Sequence, residues 1–436
     1  MQLVNGFSKL SRTEKLDWLK KEAGLSARTM ELLTDHLHSD PGIQEVYGDL
    51  SENTVSNFYL PLGLSPNFLI NGRLFTLPMV TEESSVVAAA SNAAKFWAAH
   101  GGFHCRVDDT LRVGQVHFTW SGEPKTLYSV FETNRFQLLK SVSPLTHRMV
   151  KRGGGIRSME IRSAEPELPG TYQLFVRFHT GDAMGANFIN SVLEALASQL
   201  APMMERSGSK GELEVLMAIL SNYTPESLVH CYVEEEIEAL EALGTDLSPD
   251  QFAGKFKKAV DIANHDPYRA VTHNKGIFNG MDAVTVATGN DFRAVEACGH
   301  AYASRKGIYR SLSRVELAED RFRFSLEVPL AVGTAGGLTG SHPVAAAALE
   351  ILGNPSAREL MQIIAAAGMA TNFSAIRALI TTGIQDGHMR MHLGNILRQL
   401  KVTDQEAADV RAHFKQRSIS YAEVASYLDT KRKQNL

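Results

Sequence analysis

Residues 110–201 constrain the fold most, because their hydrophobic spacing switches between strand-like and helix-like patterns in a fixed order. Alternating apolar residues predict strands at residues 110–120, 156–162 and 172–178, and helical stretches occupy residues 125–141 and 182–201. The order strand, helix, strand, strand, helix is typical of a small α+β domain with a split β-α-β topology. We therefore predict a ferredoxin-like domain at residues 109–220.

The flanking segments predict a larger mixed α/β domain that this small domain interrupts. They contain an extended segment at residues 68–77, an alanine-rich helix at 84–100 and a strand at 322–332. The acidic run at residues 234–243 favours a solvated helix face. The charged tail predicts a small helical segment that packs loosely on the rest of the chain. The predicted boundaries are 1–108 and 221–385 for the two parts of the large domain, with the tail at 386–436.

Composition excludes several classes of protein. The 436 residues are 44% apolar and 21% charged, with a formal net charge of −4, which argues against a general nucleic-acid-binding protein. The three cysteines are well separated in sequence and form no CxxC pair, so we expect neither a disulfide framework nor a structural zinc site. We find no secretory signal and no apolar run approaching the length of a membrane span, and we expect a cytoplasmic protein that does not contact membranes.

Residues 266–305 concentrate ionisable side chains among turn-forming residues. Lys275 and Asp291 together can polarise a carbonyl and stabilise the alkoxide that its reduction produces. Arg269 can bind a carboxylate through two parallel hydrogen bonds. His273 and His300 favour structural roles in the wall of the site. The segment thus indicates a site for a substrate that carries both a carbonyl and a carboxylate.

The sequence HTGDAMGANFIN, residues 179–190, ends a predicted strand and begins a predicted helix. Helix N-terminal amides favour anions, and small residues in the first turn let a phosphate approach. Asp182 has a second interpretation, as the N-cap of its own helix. The glycine-rich turn at residues 333–340 favours close backbone packing and ligand approach equally. Because the pattern is not GxGxxG, a standard Rossmann site is not indicated.

Glu83 and His388 each have a structural and a catalytic interpretation. Glu83 precedes the alanine-rich helix, either as a carboxylate favoured by the helix dipole or as an acid that donates a proton near neutrality. His388 is either a surface histidine or a group on a lid that protonates a thiolate leaving group. His392 follows four residues later, but HxxxH without the glutamate of HExxH is a weak metal signature, and we expect no metal.

Seven motifs then occur in order along the chain. They are ENTV (52–55), NGR (71–73), EESSVVAAAS (82–91), DAMGAN (182–187), DPYRAVTHNKG (266–276), ATGND (287–291) and GHM (387–389). Together they resemble class II 3-hydroxy-3-methylglutaryl-coenzyme A (HMG-CoA) reductase, the soluble bacterial and archaeal form. The resemblance implies reduction of HMG-CoA to mevalonate and free CoA with two equivalents of NAD(P)H. It also implies a homodimer with its active site at the subunit interface, and a C-terminal flap.

The resemblance assigns a role to each matching residue. Lys275 is expected to stabilise the oxyanion, Asp291 to hydrogen-bond Lys275 and Glu83, Glu83 to protonate the aldehyde oxygen, and His388 to protonate the CoA thiolate. Arg269 is expected to bind the free carboxylate of the substrate, near Ser85 and Asn279. The residues expected to line the dinucleotide site are Asp182, Met184, Gly185, Ala186 and Asn187, with Asn222 a further candidate.

The sequence departs from the family pattern at several positions. Ser56 stands where the family usually has glycine after its ENVI segment, which concerns a tight turn rather than the chemistry. Asp386 precedes the flap histidine where a basic or amide residue is usual, and it could influence His388 or the contact with CoA phosphates. Ser8 and Lys9 occupy the region where some members place an arginine for CoA.

The cofactor preference is inferred from a basic turn. NADH-preferring members place an aspartate about seven residues before the glycine triple, and Thr146 stands there in this sequence. Arg148 and Arg152 follow it, so that no carboxylate repels a 2′-phosphate and two arginines could bind one. We therefore expect NADPH rather than NADH, although a solvated basic turn is the alternative interpretation.

Two other functions share the same sequence features. The enzyme could act mainly in reverse, oxidising mevalonate in catabolism, because one site serves both directions. A catalytically silent relative that binds CoA or a nucleotide is a further alternative, disfavoured by the presence of all four expected catalytic side chains. An assembly above the dimer is left open by the sequence.

Overall fold

The computed structural model describes residues 3–381, 383, 393–394, 396–414 and 419–434. The helices are α1 Arg12–Glu22, α2 Ala27–Asp35, α3 Pro41–Asp49, α4 Val86–Ala98, α5 Pro124–Ser141, α6 Ser143–Val150, α7 Ala186–Arg206, α8 Pro249–His265, α9 Pro267–Ala287, α10 Phe292–Ala303, α11 Leu338–Ser341, α12 Pro343–Ile351, α13 Ala357–Ile380, α14 Asp404–His413 and α15 Tyr421–Gln434. The strands are β1 Leu62–Ile70, β2 Arg73–Val80, β3 His104–Val107, β4 Leu111–Trp120, β5 Gly155–Ser163, β6 Thr171–His179, β7 Leu213–Ser221, β8 Leu228–Glu236, β9 Ser313–Ala318 and β10 Arg321–Pro329.

The small α+β unit is a four-stranded antiparallel sheet in the order β5–β6–β4–β7. Its chain order, β4, α5, α6, β5, β6, α7 and β7, is the ferredoxin-like arrangement that the hydrophobic pattern predicts. The strand β7 lies beyond the predicted five-element series and completes the sheet. Apolar side chains from α5 and α7 and from one face of the sheet form a core separate from that of the rest of the chain.

A second antiparallel sheet has the order β3–β8–β10–β9. Because β3 precedes the small unit and β8 follows it, the chain on both sides of the insertion shares this one sheet. The mixed α/β fold class is thus confirmed. Cys105 on β3 faces Cys231 on β8, so these two free cysteines, distant in sequence, are neighbours in the fold.

The strands β1 and β2 form a hairpin, and the single extended segment expected at residues 68–77 is wrong in this respect. Asn71 and Gly72 form the two-residue turn, with φ angles of 48° and 80°. Two consecutive positive φ angles are characteristic of a type I′ hairpin turn, for which Asn-Gly is a preferred sequence. The side chain of Asn71 then holds β3 in place, because it both donates to and accepts from the backbone of Cys105.

The acidic run at residues 234–243 is not the solvated helix that its composition favours. Its first three residues end strand β8, and Ile237–Leu243 forms a 3₁₀ helix. The Glu234 carboxylate accepts hydrogen bonds from Arg321 and Arg323 on the neighbouring strand. Pairing with two arginines therefore outweighs the local preference of the glutamates for a helix.

Helix α13 lies at the centre of the large core, against α9, α4 and α8. It is long and apolar enough to cross a membrane, which the sequence analysis did not expect, but 67% of its apolar window is buried inside the fold. Its composition therefore reflects burial on nearly all sides by neighbouring elements. The described part of the C-terminal segment has a small core of its own, in which α14 and α15 pack together.

Candidate functional site

Glu83 and Lys275 are separated by 192 residues and meet in an ion pair. Glu83 lies in the short connection between β2 and α4, and Lys275 lies on α9, which packs against β2. The Lys275 ammonium donates a hydrogen bond to Glu83 Oε2, and Asn279, one helical turn later, approaches Oε1 at 3.5 Å. Two predicted catalytic groups and one predicted substrate-binding group are therefore adjacent, and the lysine side chain is 58% exposed.

Glycines fix the depth at which α9 packs against α13. A Cβ on Gly280 would lie 2.3 Å from the carbonyl oxygen of Ala367, and one on Gly368 would lie 2.6 Å from the Met281 side chain. Neither position accommodates alanine without movement of one helix. Because Lys275 lies just over one turn before Gly280, this close contact also constrains the backbone from which Lys275 extends towards Glu83.

Ser85 is the N-cap of α4 and adopts the left-handed conformation, with a φ of 79°. A residue other than glycine rarely adopts this conformation, and such strain is found mainly at functional sites. The serine follows Glu83 by two residues and is half-buried. The family resemblance predicts Ser85 near the substrate. In the structure it is close in sequence to Glu83 of the ion pair, and its backbone has an unusual positive φ.

Arg269 lies on the first turn of α9 and is half-buried, and desolvation lowers the pKa of its guanidinium. No described carboxylate forms an ion pair with it. His273, one turn later, is almost completely buried, and burial together with the charge of Arg269 lowers its pKa to about 3. His273 is therefore neutral at physiological pH and leaves Arg269 as the cation of this turn, available to an anionic ligand.

Asp291 pairs with Arg293 within one chain. It is the N-cap of α10, where its carboxylate accepts from the backbone of Arg293 and Ala294 and from the Arg293 guanidinium. Among the described hydrogen bonds none joins Asp291 to Lys275 or Glu83, so the expected contact is not made within one chain. Its capping role explains the position, because the α10 N-terminus has orphan amides that a carboxylate satisfies.

Asp182 does not cap its own helix, and that interpretation is wrong. Helix α7 begins at Ala186 with Gly185 as its N-cap, in the left-handed conformation and without a side-chain cap. Asp182 Oδ1 instead accepts from the backbone N–H of Ala357, the first residue of α13, at 2.8 Å. Among the described hydrogen bonds no side chain accepts from the first-turn amides of α7, which leaves them available to a ligand phosphate.

The predicted nucleotide-binding residues lie at one end of the small sheet, where its strands begin or end. His179 at the end of β6 pairs with Leu111 at the start of β4 and with Gly155 at the start of β5, and Ser221 ends β7 nearby. This register brings together the loop that holds Met184, Gly185, Ala186 and Asn187, the glycine triple, and the exposed Asn222.

The basic turn at the end of α6 lies next to this loop. A Cβ on Gly181 would lie 4.0 Å from the carbonyl oxygen of Arg152. Arg148 and Arg152 are exposed and form no described ion pair, whereas Thr146 is buried and its hydroxyl donates to the Ser143 carbonyl. The arginines, rather than Thr146, are thus placed to meet a ligand at this end of the sheet.

The glycine-rich turn after β10 packs closely against the nucleotide loop at one end only. Gly333 packs so closely against the nucleotide loop that a Cβ would lie 2.4 Å from the Met184 nitrogen, and its own N–H donates to the Asn290 side chain. Gly336 and Gly337 instead have open space around them. Close packing thus applies at one end of the turn. The sequence analysis did not single out Asn290, although it belongs to the ATGND motif.

A cavity of about 650 Å³ adjoins the end of β2. It is lined by residues 50–60, which include the ENTV motif, together with residues of α9, α11 and α12. Ser56, one of the departures from the family pattern, lies in this lining, and its hydroxyl donates to the Leu33 carbonyl at 2.7 Å. Asp386, His388 and His392 lie outside the described residues, and within the described part no cluster of three metal-binding side chains occurs.

Comparisons with known proteins give a consistent result. The family model described as hydroxymethylglutaryl-coenzyme A reductase matches residues 11–393. The chain is 35% identical to 3-hydroxy-3-methylglutaryl-coenzyme A reductase of Archaeoglobus fulgidus over 406 residues, covering 92% of this chain and 88% of that one. A probable reductase of Borreliella burgdorferi is 32% identical with the same coverages. The structure of the class II enzyme of Streptococcus pneumoniae bound to NADPH is 41% identical, with a TM-score of 0.73, covering 86% of this chain and 99% of that one.

Proposed function

The chain belongs to the hydroxymethylglutaryl-coenzyme A reductase family, and we propose that the pair Glu83 and Lys275 is the centre at which it reduces HMG-CoA to mevalonate. The observation that carries this proposal is their hydrogen bond, with Asn279 beside it. Two sequence motifs far apart in the chain thereby supply an acid and a cation at one point. The same arrangement suits a carbonyl that gains negative charge as it is reduced.

Each side chain has a defined chemical task in this proposal. The Lys275 ammonium stabilises the negative oxygen that forms when the thioester carbonyl accepts its first hydride. Glu83 donates a proton to the aldehyde oxygen during the second reduction. Arg269 binds the free carboxylate of the substrate, since it has no described counter-ion of its own. His388, outside the described residues, is assigned by the family resemblance to protonate the departing thiolate.

A nicotinamide dinucleotide supplies the hydride for both reductions when bound. Its proposed binding residues are Met184, Gly185, Ala186 and Asn187, whose backbone forms the uncapped start of α7. The exposed Arg148 and Arg152 beside this loop favour a 2′-phosphate, and we propose NADPH as the preferred cofactor. Asn222 and Asp182 frame the same loop, Asp182 by fixing it to α13.

We propose that a second copy of the chain completes the site. Asp291 caps α10 in a single chain, and no described hydrogen bond joins it to Lys275. Large apolar side chains are exposed, including Tyr268 on the first turn of α9 at 90% and Phe58 in the segment before β1 at 91%. Their exposure supports the proposal, since large exposed apolar side chains are covered when subunits associate. A homodimer would cover these groups and would bring further residues to the ion pair, in a cytoplasmic enzyme that acts on HMG-CoA, mevalonate and CoA.

The test is loss of reduced-cofactor absorbance with HMG-CoA, measured with NADPH and NADH in parallel. Wild-type protein should consume two cofactors for each CoA released, and Lys275→Ala should lower kcat by about 100- to 1,000-fold. The exposed Lys258 on α8 gives a matched control, since Lys258→Ala removes the same charge away from the site. Absence of turnover in folded wild-type protein, or full activity in Lys275→Ala, would overturn the proposal.

A further inference from the structure

A second polar pocket, of about 200 Å³, lies outside the site described above. It is formed where the C-terminal ends of α8 and α10 meet the segment that leads into β9, with Glu327 of β10 completing the wall. Its lining shares no residue with the Glu83–Lys275 centre or with the nucleotide loop. The volume is below that of pockets for drug-sized ligands, so the pocket suits a small ligand or a single chemical group.

The pocket is strongly basic although the chain as a whole is acidic. Four cations, Arg305, Lys306, Arg310 and Arg314, line it against the single carboxylate of Glu327. That carboxylate lies 3.7 Å from Arg305 and 3.7 Å from His230, so it is already shared. Among the described residues the other three cations form no ion pair. Three of the four charges therefore have no described partner that explains their convergence.

Two of the arginines are held in fixed positions by the fold. The Arg305 guanidinium lies over the Tyr302 ring at 3.6 Å and donates to the Tyr302 carbonyl. Arg310 donates to the backbone of Asn264, while its Nε is buried without a partner. A buried donor left unpaired is costly, and an anion bound here would offset the charge that Arg310 brings into the wall.

The pocket wall is also tied to the helix that carries Lys275. Asn274, the preceding residue, is fully buried, and its side chain donates to the Arg310 carbonyl and accepts from the Leu312 N–H. The segment between α10 and β9 is thereby clamped on both sides of Ser311. The basic groups thus project from a rigid wall, which is the condition for selective anion binding.

We propose that this pocket binds the phosphate or diphosphate group of a small anionic metabolite, at a site separate from the nucleotide and CoA sites. Several convergent arginines and a lysine recognise phosphate oxygens through charge-assisted hydrogen bonds. Both the free anion and a phosphate carried by bound CoA or NADPH have this chemistry. Competition experiments distinguish these sources, because a separate pocket remains available when CoA and NADPH are bound.

The probe is sodium pyrophosphate, titrated calorimetrically into the full-length protein at an ionic strength held constant with sodium chloride. We expect saturable binding that persists at saturating NADPH and at saturating CoA. The variant Lys306→Gln/Arg314→Gln should weaken it at least tenfold. Both side chains are exposed and form no described hydrogen bond, so the variant should fold normally. The measurement needs no turnover, so its outcome is independent of the proposed reductase activity.

The control variant Lys255→Gln/Lys258→Gln removes two exposed charges from α8 without touching the pocket, and it should bind pyrophosphate as the wild type does. Equal affinity in the pocket variant and the wild type would overturn the proposal, because binding would then occur elsewhere. Loss of binding on addition of CoA or NADPH would overturn it as well, since the anion would then be occupying one of the substrate sites.

Discussion

The carboxylate of Asp182 accepts a hydrogen bond from the backbone N–H of Ala357 at 2.8 Å and so connects the nucleotide loop to the start of the central helix α13. The backbone carbonyl of Asp182 accepts from Thr334 and Ala335 in the glycine-rich turn. One residue therefore holds the loop against two elements of the large core. The loop position depends on this junction as much as on the small sheet that precedes it.

We predict that Asp182→Ala raises KM for the reduced cofactor more than it lowers kcat. The side chain acts on the loop position and lies far from the Glu83–Lys275 pair in the chain. Loss of a carboxylate from a helix N-terminus should also lower the free energy of unfolding by about 0.5–2 kcal/mol. Steady-state kinetics and urea unfolding measure both effects. Asp182→Asn retains an acceptor and should be milder, and an equal effect of the two variants would contradict the hydrogen-bonding role.

We predict that Gly333→Ala impairs cofactor binding strongly, whereas Gly340→Ala does not. A Cβ on Gly333 would lie 2.4 Å from the Met184 nitrogen, so the nucleotide loop must move. No atom lies within 4 Å of a Cβ on Gly340, which lies in a helical turn of the same segment. Fluorescence titration with NADPH tests the pair. Unchanged affinity in Gly333→Ala would show that this packing does not position the loop.

Elements with a strong local pattern were predicted well from the sequence. The β4, α5, β5 and β6 elements lie within a few residues of their predicted positions, because alternation and helical spacing are properties of each segment alone. The β1–β2 turn was missed even though Asn71 and Gly72 are its usual sequence. The strand ending at Glu236 was missed for another reason, since its partners Arg321 and Arg323 lie more than 80 residues away.

The site shows the same division. Motif resemblance predicts Glu83, Lys275 and Asn279 as site residues, and the structure brings these three side chains together. The partner of Asp182 could not be predicted, because Ala357 carries no side-chain signal and contributes only its backbone amide. The local role of Asp291 was also missed, because the motif ATGND does not show that its carboxylate caps α10 and binds Arg293.

We predict that Glu83→Gln and Lys275→Met lower kcat by similar factors and that the double variant is little worse than either. Groups that act as a unit give strongly non-additive effects. The thermal midpoint should change little, because both side chains are partly exposed and surface ion pairs contribute about 0–1 kcal/mol. The partly exposed pair Lys257–Asp261 on α8 is the control, and its removal should leave kcat unchanged. Independent, multiplicative losses at Glu83 and Lys275 would contradict a joint role.

We predict that Arg148→Gln/Arg152→Gln lowers kcat/KM for NADPH about tenfold while leaving kcat/KM for NADH nearly unchanged. The two guanidinium groups can bind a 2′-phosphate, which NADH lacks. Parallel kinetics with both cofactors measure the ratio. Arg135→Gln, on the adjacent helix α5, removes a cation of the same domain and should not alter it. Equal losses with both cofactors would show that the arginines do not recognise the 2′-phosphate and act through the overall charge or the stability of the domain.

The buried imidazole of His273 should make the fold less stable in acid. Its Nε2 lies 2.6 Å from the Ser313 hydroxyl, and burial with the charge of Arg269 lowers its pKa to about 3 from an ordinary value of 6.5. Between these two values the unfolded chain binds a proton that the folded chain does not. Lowering the pH through this window therefore favours unfolding, by up to about 1.4 kcal/mol per pH unit.

The His273 effect must be measured as a difference between variants, because Asp282 acts in the opposite direction. Burial and the nearby Glu296 raise the pKa of Asp282 to about 8. Between about pH 4 and 8 the folded chain therefore keeps a proton on Asp282 that the unfolded chain releases, and the fold loses stability as the pH rises through this window. We therefore predict that the free energy of unfolding of His273→Gln falls less steeply with decreasing pH than that of the wild type. Urea titrations between pH 4 and 6.5 measure this slope. The exposed His265→Gln should retain the wild-type slope. Identical slopes in His273→Gln and wild type would show that His273 is protonated in the fold.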